Sequence, residues 1–183
     1  MQEERQLNNS KIRAFIAIEI PEDIKKELLL IQNKIRDFRC IKIVDKKNVH
    51  ITLNFLGNVD YSNLMKITKT IDEIGIKKTD VYVKGLGFFP SLDYARVLWA
   101  GIYGIEGIIN AMREKVRFGS ITDKGHATIA RIKCKPDKMF FEEVNRYKTH
   151  DFGHFTASEI VVFKSVLKRE GPEYEKIAVI KLY

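Results

Sequence analysis

The apolar positions of the chain switch repeatedly between a period of two and a period near 3.6. Residues 13–20 read Arg-Ala-Phe-Ile-Ala-Ile-Glu-Ile, a strand pattern. Pro21, Glu22 and Asp23 then open a helix predicted to run to about Phe38, with Ile24, Leu28, Ile31 and Ile35 on one face. Residues 49–56 form a second strand, closed by Gly57, and 60–74 a second helix. Strands are predicted over 81–88 and 96–103, separated by a turn around Pro90, Ser91 and Asp93. A helix over 106–118, a strand over 126–133 and a helix from Pro136 to about Tyr147 follow. Strands over 155–166 and 177–182 complete the pattern. Strands and helices in this order predict an α+β fold, with largely antiparallel sheets and helices on their outer faces. Residues 1–11 precede the first strand and are expected to be a flexible extension, and 12–183 a single domain.

Composition narrows the class. Of 183 residues, 45% are hydrophobic and 31% charged, as in an ordinary globular protein. No apolar run approaches bilayer length, and residues 1–11 contain no apolar segment of the secretory kind. A cytoplasmic location is therefore expected. With it comes the expectation that Cys40 and Cys134, far apart and outside any metal-ligand spacing, are free thiols. The net charge of +8, spread along the chain, favours polyanionic partners. Nothing calls for an obligate protein partner, and a monomer is expected.

Two predicted strands carry the same short motif, His50-Ile51-Thr52-Leu53 and His126-Ala127-Thr128-Ile129. In a strand, residues i and i+2 share a face, so each motif sets an imidazole beside a hydroxyl. Two such pairs across a cleft would supply an acid, a base and two donors for nonbridging oxygens, the set that phosphodiester cleavage needs. Histidine suits both proton-transfer roles because it titrates near neutrality. The chain has only eight threonines, so one such spacing means little, whereas two on strands half a chain apart carry weight. His154-Phe155-Thr156-Ala157 is a third His-x-Thr, but it lacks the aliphatic fourth residue and ranks as a decoy. Strict alternation points Arg131 away from His126, so it reaches the same site only if the strand bulges or its side chain wraps round. Trp99, Phe88 and Phe89 are read as core rather than as base-stacking groups. The histidines and acids show no metal-site spacing, and the glycines between 85 and 107 form no phosphate loop.

The stretch 49–57, Val-His-Ile-Thr-Leu-Asn-Phe-Leu-Gly, resembles the first signature of the 2H phosphoesterases, in particular the RNA 2′,3′-cyclic phosphodiesterases also called 2′-5′ RNA ligases. Residues 126–131 resemble the second signature, and the likeness extends from Arg13 to Tyr183 through 13–18, 97–101, 163–167 and 171–174. The resemblance implies a bilobal, pseudo-twofold fold whose sheets line a central cleft. It also implies hydrolysis of an RNA or nucleotide 2′,3′-cyclic phosphate to a 2′-phosphate, without metal or other cofactor. His50 and His126 would be catalytic, Thr52 and Thr128 would bind phosphate, and Arg131 is a further candidate for that role. The near symmetry leaves base and acid unassigned by sequence, with a preference for His126 as base and His50 as acid. Alternatives are a 2′-5′ ligase running the reverse reaction on RNA or tRNA halves, hydrolysis of a small cyclic nucleotide, and a non-enzymatic RNA-binding module.

Overall fold

The computed structural model describes residues 11–183. Residues 1–10 of the expected extension lie outside the described residues, and Lys11 already begins the first strand. The described residues form β1 (Lys11–Glu19), α1 (Glu22–Ile35), β2 (Ile41–Ile43), a short 3-10 turn (Lys46–Asn48), β3 (His50–Asp60) and α2 (Tyr61–Glu73). They continue with β4 (Thr79–Phe89), β5 (Val97–Tyr103), α3 (Glu106–Lys115), β6 (Ser120–Ile121) and β7 (His126–Ile132). The last elements are α4 (Lys138–Asn145), β8 (Asp151–Ala157), β9 (Glu159–Leu167) and β10 (Pro172–Lys181).

The strands form one antiparallel sheet in the order β10-β9-β1-β3-β7-β5-β4-β8. That order is a palindrome of roles. β3 and β7, which carry the two His-x-Thr motifs, meet in the middle, flanked by β1 and β5. β3 and β7 themselves meet at one register pair, Ile51 opposite Ala127. Each half is a lobe, which is the bilobal pseudo-twofold arrangement that the resemblance implies.

The short strands tie the lobes crosswise. β2 precedes β3 in the chain but pairs with β7, and β6 precedes β7 but pairs with β3. The main core lies between the sheet and the helices. α1 contributes Ile24, Leu28, Ile31 and Ile35, the face that its spacing predicts, and its N-terminus carries Glu22 and Asp23 as the helix dipole favours. A second, small cluster of Phe15, Ala17, Val161 and Phe163 sits apart from that core. Phe15 and Ala17 alternate along β1 with the core residues Ala14, Ile16 and Ile18, so the cluster occupies the opposite sheet face.

Several expectations need correction; the last strand begins at Pro172 rather than 177, and the helix from Glu106 ends at Lys115 rather than 118. The predicted helix to Phe38 stops at Ile35, and Cys40 then takes a left-handed conformation, φ 76°. The single strand predicted over 155–166 is two strands. β8 pairs with β4 in one lobe, β9 with β1 in the other, and Ser158 marks the change. The local alternation cannot show that break, because neither glycine nor proline occurs there and only the pairing partners differ. Finally, Cys40 and Cys134 are not free thiols. They form a disulfide with a Cα–Cα separation of 5.2 Å, joining the start of β2 to the residues just after β7. Their sequence separation of 94 conceals a contact that the β2–β7 pairing creates.

Candidate active site

The central pair Ile51–Ala127 positions the site. Both side chains are fully buried, so their neighbours in each strand turn to the other face. In antiparallel register this brings His50 toward Thr128 and Thr52 toward His126, four groups around one point. All four line a single open cleft of about 740 Å³.

Both imidazoles are held the same way. Nδ1 of His50 lies 2.7 Å from the carbonyl oxygen of Asn48, and Nδ1 of His126 lies 2.8 Å from that of Lys124. A carbonyl only accepts, so each Nδ1 carries the hydrogen and each Nε2 keeps its lone pair. Nε2 of His50 is 3.0 Å from Thr52 Oγ1, whose hydroxyl can donate to it. Burial pushes the His50 pKa down to about 4. The Asn48 carbonyl opposes that shift, while the positive charges of Lys25 and His126 add to it. The His126 pKa is also lowered, first by burial, then by the charges of Arg131 and Lys124, against the Lys124 carbonyl. Both imidazoles are therefore neutral bases in the free protein at neutral pH. Phe15 stacks on His50 at 4.8 Å between centroids, and Phe89 meets His126 edge-on at 4.9 Å.

Arg131 lines the cleft because β7 bulges. Thr128 pairs with Trp99 and Ala130 with Leu98, leaving Ile129 as the extra residue. The bulge inverts the alternation, so Arg131 shares a face with His126 and Thr128. β3 repeats the device. Thr52 pairs with Ala17 and Asn54 with Ile16, and Leu53 is the extra residue. Phe55 thus occupies the place in its lobe that Arg131 occupies in the other, and it lines the cleft with 57% of its surface exposed.

Both bulges are capped from the crosswise strands. The Val44 amide donates to the Ile129 carbonyl and the Thr122 amide to the Leu53 carbonyl, each at 3.0 Å. The buried Gln32 adds Nε2 bonds of 2.8 Å to the Ile129 and Val44 carbonyls.

His154 is elsewhere, exposed on β8 and stacked on Tyr82. Trp99 is buried as expected, and Phe88 packs against Phe140 and Phe141. Phe89, expected in the core, instead lines the cleft. Residues not singled out from sequence also line it, among them Arg13, Lys42, Lys133 and Tyr174. Lys42 lies opposite Arg131 in the β2–β7 register, which no local pattern signals. Among the described residues no cluster of three His, Cys, Asp or Glu side chains could hold a metal ion. No helix among them is long and apolar enough to cross a membrane.

Comparison with known proteins places this geometry. A profile described as LigT-like phosphoesterase matches residues 18–99. The chain is 36% identical over 173 residues to an RNA 2′,3′-cyclic phosphodiesterase of Methanocaldococcus jannaschii, covering 91% of this chain and 98% of that one. It is 34% identical over 183 residues to the protein of the same name from Aquifex aeolicus, covering 89% and 93%. A crystal structure from Thermus thermophilus superposes with a TM-score of 0.78 at 24% identity, covering 93% of this chain and 98% of that one. E. coli LigT complexed with 3′-AMP superposes at 0.74 and 19% identity, covering 95% and 99%, a likeness of fold. The chain belongs to the LigT-like phosphoesterase family.

Proposed function

We propose that this protein hydrolyses RNA 2′,3′-cyclic phosphate ends to 2′-phosphomonoesters, with His50 and His126 as the proton-transfer pair. One observation carries the reading. Two His-x-Thr pairs meet on one sheet face around Ile51 and Ala127, with a bulge turning Arg131 in beside them. The relatives named RNA 2′,3′-cyclic phosphodiesterase, aligned over nearly the whole chain, supply the substrate class.

The reaction adds water across the P–O3′ bond. One neutral imidazole takes a proton from water at Nε2 as the oxygen attacks phosphorus. The other, as imidazolium, gives a proton from Nε2 to the departing O3′. The product keeps phosphate on O2′ and a hydroxyl on C3′. Thr52, Thr128 and Arg131 hold the nonbridging oxygens and the charge that builds on them.

Burial opposes protonation of both imidazoles, with the Lys25 and His126 charges adding to it at His50 and the Arg131 and Lys124 charges at His126, so a bound phosphate anion must supply the charge that makes one of them the imidazolium acid. The nonenzymatic alternative gives no reason for two imidazoles that are each held at Nδ1 by a backbone carbonyl and open onto one cleft.

The test is incubation with a short RNA ending in 2′,3′-cyclic phosphate, in excess EDTA, with identification of the product isomer. A 2′-phosphate is expected. A 3′-phosphate, or activity that vanishes on chelation and returns with a divalent metal, refutes the mechanism.

A further inference from the structure

The sheet face that carries His126 does not end at the cleft. Gly101 is the β-register partner of His126 and has no side chain to present. The ring of Tyr103, two residues along β5 on the same face, leans over it. Its Cε2 and hydroxyl lie 3.2 and 3.3 Å from the position a Gly101 Cβ would take. Across β4 and β8 the row continues, with Tyr82 opposite Tyr103 and His154 opposite Tyr82. The Tyr82 and His154 rings stack at 5.7 Å and 28°. Tyr103 is 50% and Tyr82 49% exposed, Tyr82 although its neighbours in the register flank it on both sides. On a sheet face covered by helices these rings would be buried. Here three rings stand open in a row that begins two residues along β5 from the Gly101–His126 pair.

The flanking charge is mixed, with exposed Asp151 opposite Lys84 in the β4–β8 register. Exposed Lys84 lies on the same face of β4, and the Lys124 ammonium sits 4.3 Å over the Trp99 ring beside His126. Asp80, the carboxylate at the end of the row, accepts a 2.7 Å hydrogen bond from the Thr156 hydroxyl.

We infer that this face is a stacking platform for single-stranded RNA 5′ of the terminal phosphate, with Tyr103, Tyr82 and His154 receiving successive bases. The inference rests on the cyclic phosphodiesterase reading. Open aromatic rings on an uncovered sheet face, continuous with a phosphate site in a chain of net charge +8, suit unpaired bases, each of which offers a π-face. The third His-x-Thr motif thereby acquires a role: His154 extends the platform, with Thr156 fixing Asp80 beside it.

The experiment compares a 2′,3′-cyclic mononucleotide with a short RNA bearing the same end. For Tyr82→Ala, Tyr103→Ala and His154→Ala, the ratio of kcat/KM for RNA to that for the mononucleotide should fall about tenfold each, through KM. Tyr82→Phe, which keeps the ring, should hold the wild-type ratio. Tyr82→Leu replaces the alanine variant if that variant fails a thermal-melt check. An unchanged ratio in all three variants overturns the platform and leaves the face to some other partner, such as a protein.

A second arm separates the platform from the reaction. Fluorescence anisotropy measures binding of a labelled short RNA with an ordinary 3′ hydroxyl. If wild type cleaves neither substrate, the proposed activity fails, and this arm alone decides the platform. Binding about a hundredfold weaker in Tyr82→Ala/Tyr103→Ala supports it. Equal binding, or no binding by wild type, overturns it.

Discussion

Replacing His50 with asparagine should make the fold less sensitive to acid. Asparagine can still donate to the Asn48 carbonyl that Nδ1 of His50 reaches in the native protein. What it removes is a group that burial holds at about 4 against an ordinary 6.5. The unfolded chain takes up a proton at this position as the pH falls below about 6.5, whereas the folded chain refuses it until about 4. The folded state therefore loses stability across that window, by about 3 kcal/mol in full and about 2 kcal/mol between pH 8 and pH 5. Urea denaturation at those two pH values measures it, in buffers free of phosphate, since an anion in the cleft would raise the imidazole pKa. Wild type should lose about 2 kcal/mol more than His50→Asn on going to pH 5. His126 is present in both proteins and cancels. Stabilities that decline in parallel would refute the buried, neutral state of His50 in the free protein.

Three further outcomes follow from the site and its frame. His50→Ala and His126→Ala should each slow hydrolysis roughly a hundredfold to ten-thousandfold, and the double variant should lose far less than the product of the two, because both act in one transition state. Single-turnover rates on a cyclic mononucleotide decide it, and full multiplicativity would separate the roles. Arg131→Ala should reduce kcat/KM by about tenfold to a hundredfold, with partial rescue in Arg131→Lys, which restores charge without the planar fork; an unaffected variant would place Arg131 outside phosphate binding. Cys40→Ser/Cys134→Ser should cost up to about 4 to 5 kcal/mol, the loop entropy of a 94-residue separation, and a reductant should lower the melting temperature of wild type but not of the variant.

Much of this protein is legible along the chain because it is local. The spacing of Ile24, Leu28, Ile31 and Ile35 specifies the buried face of α1. Alternation specifies β1, β3, β5 and β7, and the repeated His-x-Thr places imidazole and hydroxyl side by side whatever the strands pair with. Tertiary structure decided what depends on partners distant in sequence. The same alternation that shows the motifs sends Arg131 and Phe55 the wrong way, because nothing local marks Ile129 and Leu53 as the extra residues. Those bulges are held by the amides of Val44 and Thr122, and one of them also by the Gln32 side chain.

The carbonyls that orient both imidazoles belong to the backbone of Asn48 and Lys124, where side-chain identity carries no signal. The disulfide, the division of 155–166 between two lobes and the open row of Tyr103, Tyr82 and His154 are likewise products of strand order. A sequence sets the period of each strand, but a hydrogen-bonded partner sets its register, and one residue of register moves every side chain beyond it to the opposite face.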